Sequence, residues 1–264
     1  MRQVERLGRH CLLFHERLRP KLGPAEPLVV DGFESFEFSQ YTPFHIHTAV
    51  GASHYVYGFT DSELRRKGRM TIAQRERRAQ LELRFGRPDP RSIEREMAAL
   101  VEIIVPAGAS VTIESDEHPS YPRAFARLRD RTIAHATTRS TVPRTPGNPL
   151  FPVNLLDLLI RHSSANHKRE TIAFSKRRQS AAERLFVLVV WRNYLKSFSE
   201  RRRDSTPGQR LGIVARRLSI EDVLRTRLFP HRVGMPERWA DYYWRRIPTR
   251  RIPNGRRHTL RYAA

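Results

Sequence analysis

The chain has 264 residues, 39% of them hydrophobic, which is enough to bury a core and excludes disorder of the whole chain. Its 49 Lys and Arg against 27 Asp and Glu give a formal charge of +22, and lysine occurs only at positions 21, 67, 168, 176 and 196. An excess of arginine on this scale points to a polyanion, above all nucleic acid, because guanidinium meets phosphate in bidentate fashion.

Cys11 is the only cysteine, so there is no disulfide framework and no pair from which to build a zinc ribbon. The longest apolar run, LFVLVVW at 185–191, is far too short for a bilayer, and MRQVERLGRH lacks the apolar core of a signal peptide. A soluble, cytoplasmic protein with no membrane partner is the expectation.

In chain order, residues 1–20 carry Val4, Leu7, Cys11, Leu12 and His15 at helical spacing and stop at Pro20. After a GPAEP linker, LVVDGFESFEFSQ, FHIHTAVG and SHYVYGFT read as three consecutive strands of a meander. A charged stretch at 61–88 follows. DPRSIEREMAALVEIIV then offers Asp89 as N-cap and Pro90 at N1, with Ile93, Met97, Leu100, Val101 and Ile104 on one stripe. SVTIESD reads as a fourth strand, PRAFARLRD as a short helix and TIAHATT as a fifth strand, giving the order βββαβαβ. Beyond the loop VPRTPGNP, FPVNLLDLLIRH has Val153, Leu156, Leu159 and Ile160 on one face, and an apolar helix spans about 180–198. The tail 201–264 holds 17 Arg against 5 acids and is broken by prolines, which suggests a nucleic-acid-facing extension rather than a core element.

Two acids occupy places where an ionised carboxylate is costly unless paired or bound to metal. Asp31 interrupts LVVDGF in the first strand, and Asp116 closes the fourth within SDEH. If those strands are neighbours the two carboxylates meet, and such oxygens suit a pair of Mg²⁺ ions about 3.5–4 Å apart in phosphoryl transfer. The ordinary alternatives are an Arg-paired Asp31 and a helix-capping Asp116. On the next helix Asn154, Asp157 and Arg161 share a polar face, which an exposed Asp157–Arg161 pair would equally explain.

The segments VVDGFESF, ESDEHPSYPRAF and NHKRETIAFSKRRQSAAERLFVLVVWRNYLKSFSERR resemble the catalytic core of bacterial insertion-sequence transposases of the DDE, RNase H-like superfamily. The resemblance runs from about 28 to 203. It implies an α/β, RNase H-like mixed five-stranded sheet flanked by helices, with a basic C-terminal extension. The divisions it suggests are an N-terminal helix and linker at 1–25, a catalytic domain at 26–200 and an Arg-rich extension at 201–264. It implies Asp31 and Asp116 as the first two catalytic acids and Mg²⁺ or Mn²⁺ as cofactor.

The third position departs from the pattern. Alignment on AFSK puts Asn154 where related transposases often have Glu, so Asp157, one turn later, is preferred as the third acid, ahead of Glu170 and Glu183. Such a protein would work as a homo-oligomer on double-stranded DNA, both element ends and target, in the bacterial cytoplasm at the nucleoid. The phosphate contacts expected are Arg161, Lys168, Arg169, Lys176, Arg177, Arg178, Arg201, Arg202 and Arg203. A single helix precedes the first strand, so an N-terminally truncated transposase is one expectation. A non-catalytic DNA-binding remnant and a structure-selective nuclease on the same fold are the alternatives.

His45 and His47 point to one strand face, but no third ligand sits at a matching spacing, so packing or hydrogen bonding is their expected role. His118 is read as a contact to the scissile phosphate, as a partner of Asp116, or as a turn residue before Pro119. Trp239, Tyr242, Tyr243 and Trp244 interleave aromatics with arginine, which suits base stacking or a small local core.

Overall fold

The structure is a computed structural model and describes residues 2–168, 175 and 177–249. Arg169, Glu170 and Lys176, with residues 250–264 of the basic tail, lie outside the described residues.

Helix α1 (Arg2–Leu18) leads into β1 (Leu28–Phe36), β2 (Pro43–Gly51) and β3 (Val56–Glu63). Helices α2 (Ile72–Phe85) and α3 (Ser92–Ile104), strand β4 (Ser110–Ser115), helix α4 (Ser120–Ala126) and strand β5 (Thr132–Thr137) follow. The remaining helices are α5 (Phe151–Ser163), α6 (Arg178–Val190), α7 (Pro207–Arg210), α8 (Ile220–Arg225) and α9 (Glu237–Tyr243). The strands form one sheet in the order β3-β2-β1-β4-β5. The meander pairs antiparallel, while β1–β4 and β4–β5 pair parallel. This is the mixed five-stranded α/β architecture expected, and it is consistent with an RNase H-like fold.

The strand order follows from burial. Leu28, Val29 and Val30 of β1 are all buried, as a central strand covered on both faces requires, whereas β5 at the edge is largely exposed. Helix α3 lays Met97, Leu100, Val101 and Ile104 into the core, and the Thr60 hydroxyl donates to the Glu96 carbonyl (2.7 Å) to tie it to β3. It begins at Ser92, two residues later than Pro90, because Asp89 Oδ1 accepts the Arg91 N–H (2.9 Å) in a turn just before it. Helix α6 ends at Val190 and continues as a π-helical turn over Trp191–Leu195, so the single helix expected to about 198 is two conformations. Helix α2 was not foreseen, and it buries none of its residues.

An edge strand exposes unpaired backbone groups, and β3 has its outer edge covered by side chains from distant parts of the chain. The Asn193 amide both accepts from Val56 N–H and donates to Val56 C=O (2.9 Å each). His15 Nε2 bonds the Tyr57 carbonyl (3.0 Å), Trp239 Nε1 the Phe59 carbonyl (3.0 Å), and Arg238 the Asp61 carbonyl (2.9 Å). Gly58 lets the indole in, since a Cβ there would lie 2.5 Å from Trp239 Cζ2. Trp239 and Tyr242 are fully buried in the main core, which settles the aromatic cluster as packing at these two positions. The part of the tail that carries them is therefore a core element, contrary to expectation.

Beneath that edge the buried Asp61 carboxylate receives Arg178 Nε (2.5 Å), Arg238 Nη2 (2.9 Å) and the Tyr242 hydroxyl (2.6 Å). Burial alone would raise its pKa, but Arg178, Arg238 and Tyr242 more than offset this and hold it below the usual carboxylate range. Arg178 also binds Glu63 at 2.6 Å and is itself buried, so its place among the phosphate contacts is corrected: the guanidinium is spent inside the protein. Replacing Asp61 by Ala would leave two cations without their buried counter-charge. The expected loss is about 3–5 kcal/mol of folding stability, read from urea unfolding at neutral pH.

Candidate active site

Strand register brings the first two acids together. Parallel pairing of β1 with β4 aligns Val30 with Ser115; Asp31 follows on β1, and Asp116 is the first residue after β4 ends. Asp31 is partly buried, and its Oδ1 accepts the Gly32 N–H (2.7 Å). Asp116 Oδ1 accepts the His118 N–H (3.0 Å), which fixes the carboxylate in a turn ahead of α4 rather than as its N-cap. Helix α5 packs across β1 and β2 and delivers Asp157 to the same place.

Asp31 feels the charge of Asp116, and Asp157 feels that of Asp31. Burial raises the Asp31 pKa to about 6 and the nearby Asp116 charge adds to this, while the Gly32 N–H, Arg144 and the Tyr121 hydroxyl act against it. Burial followed by the Asp31 charge raises Asp157 to about 7, against Arg161 and Arg144. Tyr121, buried at the start of α4, has its hydroxyl in the field of Asp31, Asp116 and Asp157, and its pKa lies well above the ordinary value, through burial first and these acids next. Asp157 Oδ1 is buried with no hydrogen-bond partner. A carboxylate oxygen left bare beside two other acids fits a cation, and an all-oxygen donor set fits a hard one such as Mg²⁺ or Mn²⁺. Among the described residues no group of three or more His, Cys, Asp or Glu side chains is placed closely enough to hold a metal ion, so a cation would have to draw these carboxylates together.

The other expected residues divide. Asn154 lies one turn before Asp157 on α5 and is partly buried. Arg161 is exposed with its guanidinium 5.8 Å from the centre of the Phe33 ring, beside Asp157. Lys168 and Arg201, Arg202 and Arg203 are exposed, and Arg177 is partly buried. Glu183 is buried away from the aspartates, with Gln179 at 3.0 Å and Arg245 at 3.2 Å. His45 and His47 share a face with ring centroids 5.1 Å apart, and His47 Nε2 bonds the Ser62 hydroxyl at 2.9 Å. Burial lowers the pKa of both, so they are neutral hydrogen-bonding groups near pH 7.

Tyr121 and Arg144 were missed in the sequence. Tyr121 follows the acidic run in SDEHPSY and could have been suspected as a hydroxyl one helical turn away. Arg144, exposed in a Pro/Gly loop, carries no local signal of its role.

No protein-family model matches the chain, and no curated protein matches it. Among solved structures the chain is similar to a chain of the simian T-cell lymphotropic virus intasome in complex with the PP2A regulatory subunit B56 gamma, at 17% identity and a TM-score of 0.30. The match covers 72% of this chain and 55% of that one, so it spans about half of the viral complex's chain. Among the described residues no helix is long and apolar enough to cross a membrane.

The raised carboxyl pKa values set a pH dependence. A carboxyl group with a higher pKa in the folded state keeps its proton where the unfolded chain has lost it, so folding stability falls as pH rises from about 4 to about 7. Asp157→Asn is expected to flatten that decline and to stabilise the metal-free protein above pH 7, by on the order of 1–3 kcal/mol. Urea unfolding across this range in EDTA measures it.

Proposed function

We propose that this chain is a DDE-type, metal-dependent DNA strand-cleaving and strand-transfer enzyme of the transposase kind, with Asp31, Asp116 and Asp157 as its acids. The observation that carries this reading is the electrostatic coupling of the three: Asp116 acts on Asp31, Asp31 acts on Asp157, and all three act on the Tyr121 hydroxyl. Asp31 and Asp116 each follow the last β1–β4 pair, and Asp157 comes from the helix packed on β1, with its buried Oδ1 bare.

Asp31, Asp116 and Asp157 would hold Mg²⁺ or Mn²⁺, which when bound supplies an activated oxygen nucleophile and charge stabilisation of the leaving oxygen. Tyr121 and the Gly32 N–H orient the Asp31 carboxylate, and the His118 N–H orients that of Asp116. Asp31 and Asp157 must give up the protons that burial favours before they can act as ligands, so cation affinity would rise with pH between about 6 and 8. Arg144, in the field of both groups, is placed to draw in the phosphate. Asn154 is a neutral neighbour of Asp157 and supplies no charge of its own. Double-stranded DNA, as element ends and target, and a homo-oligomer on that DNA are part of the same proposal.

Nicking and strand transfer with Mg²⁺ or Mn²⁺ test it. Asp31→Ala, Asp116→Ala and Asp157→Ala should each lose at least about 100-fold, more than the loss typical of residues behind the ligands, and Asn154→Ala far less. The thermal stabilisation that Mg²⁺ gives the wild type should vanish in the same three variants. Undiminished nicking by Asp31→Ala and Asp116→Ala would remove the proposal. DNA binding with no nicking by the wild type would mark a non-catalytic remnant, and cleavage of branched DNA without strand transfer a nuclease.

A further inference from the structure

A groove of ≈ 820 Å³ opens on the face of the sheet that carries His45, opposite to the face of Asp31, and the expected DNA contacts do not include it. One wall is the segment between β3 and α3, with Arg65, Arg66, Lys67 and Arg69 before α2, Arg78 on it and Arg87 after it. Its end is His118, whose own N–H binds Asp116, so the groove runs up to the second catalytic acid.

The charge there is not cancelled locally. Six Arg and Lys line it against three acids, Glu34, Glu63 and Asp89, and of these Glu63 is engaged by Arg178 (2.6 Å) and Asp89 by Arg95, neither of which lines the groove. Arg65 binds Glu82 of α2 at 2.8 Å and Arg78 of α2 donates to the Arg66 carbonyl (3.0 Å), which ties the helix to the segment before it, while the Arg78–Glu82 pair (3.4 Å) lies within the helix. Lys67, Arg69 and Arg87 are exposed and form no ion pair among the described residues. Arg66 lies over the Tyr41 ring at 4.7 Å with a buried Nη1 that has no hydrogen-bond partner.

Helix α2 gives the core nothing. None of its residues is buried, Leu83 and Ile72 are 92% and 68% exposed, and polar links to Arg65 and Arg66 rather than packing hold it. A helix of this kind is retained for the wall it makes. Phe36, Leu64, Pro88 and Ile93 add apolar surface to the lining. A duplex keeps its base faces stacked inside, whereas the faces of unpaired bases are free to meet such surface.

We infer that this groove binds a few unpaired nucleotides of the DNA strand that continues from the phosphate at Asp116, with Lys67, Arg69 and Arg87 on its phosphates and the apolar surface against its bases. The inference rests on the aspartate reading for its direction along the strand, and its test does not depend on catalysis.

Fluorescence anisotropy in EDTA, across a range of salt, would compare a single-stranded DNA, the matching blunt duplex and a single-stranded RNA. The triple variant Lys67→Ala, Arg69→Ala, Arg87→Ala is set against Arg75→Ala, Arg77→Ala, Arg84→Ala, which removes the same charge from α2 outside the groove. The groove variant should bind single-stranded DNA at least about tenfold more weakly, and its salt slope should fall by about two, at roughly 0.7 per phosphate contact. The outer variant should change little. An equal loss in both triple variants, or none in either, overturns the groove. An equal loss on duplex overturns the unpaired strand, and tighter binding of RNA than of DNA overturns the DNA assignment. Failure of the nicking assay with this binding intact would count against the aspartates alone.

Discussion

The rest of the structure depends on how the outer edge of β3 is closed. Four backbone carbonyls and one N–H along that strand are taken by Asn193, His15, Trp239 and Arg238, so the edge is completed by helices instead of another strand. Under it, Asp61 joins Arg178 of α6 to Arg238 and Tyr242 of α9. A buried carboxylate between two guanidiniums is a poor source of net stability compared with apolar packing, but it is demanding about position, because either cation alone would be stranded. It ties residues more than a hundred positions apart to one strand, and with them the C-terminal helices.

That closure leaves the opposite half of the sheet free to carry chemistry. With β3 fixed by helices and β2 and β1 locked into the antiparallel meander, β1 is held so that its free side can accept β4 in parallel. Parallel pairing with Val30 opposite Ser115 then places both acids one residue past the last step of the ladder. Beyond it β1 continues to Phe36 without β4, so the carboxylates lie where two strands part. The raised pKa values of Asp31 and of Asp157 report what the fold bears in holding them buried near like charge.

Much of this was legible in the sequence because its signals are local. The β-branched runs gave the strands, and an Asp inside LVVDGF is conspicuous because nothing nearby in sequence neutralises it. The placement of α5 was legible through Val153, Leu156 and Ile160, all buried as the stripe requires. Helix α2 was not, since QRERRAQLELR has no apolar stripe and the helix is held by Arg65, which precedes it. Arg178 was misread for a related reason. It sits in a basic run that looks solvated, and the acids that draw it inside, Asp61 and Glu63, are more than a hundred residues upstream. Trp239 and Tyr242 could be core or stacking platform by composition alone, and only the gap left by Gly58 decides for the core.

The division of charge follows from what carboxylates do to a polyanion. On the proposed function, the aspartates would repel the phosphate they hold, and at physiological salt a compensating charge counts only within about 8 Å. The formal charge of +22 is therefore less informative than its placement. Among the described residues most of the arginines at 201–203 and further along are exposed and can add to general attraction. Arg144 and Arg161, within the fields of Asp31 and Asp157, act where repulsion is felt, and Lys67 acts on His118 next to Asp116. A fold that keeps its acids bare must bring its cations in from loops, and here they come from the two segments, 64–69 and 139–148, that flank the acids on either side of the sheet.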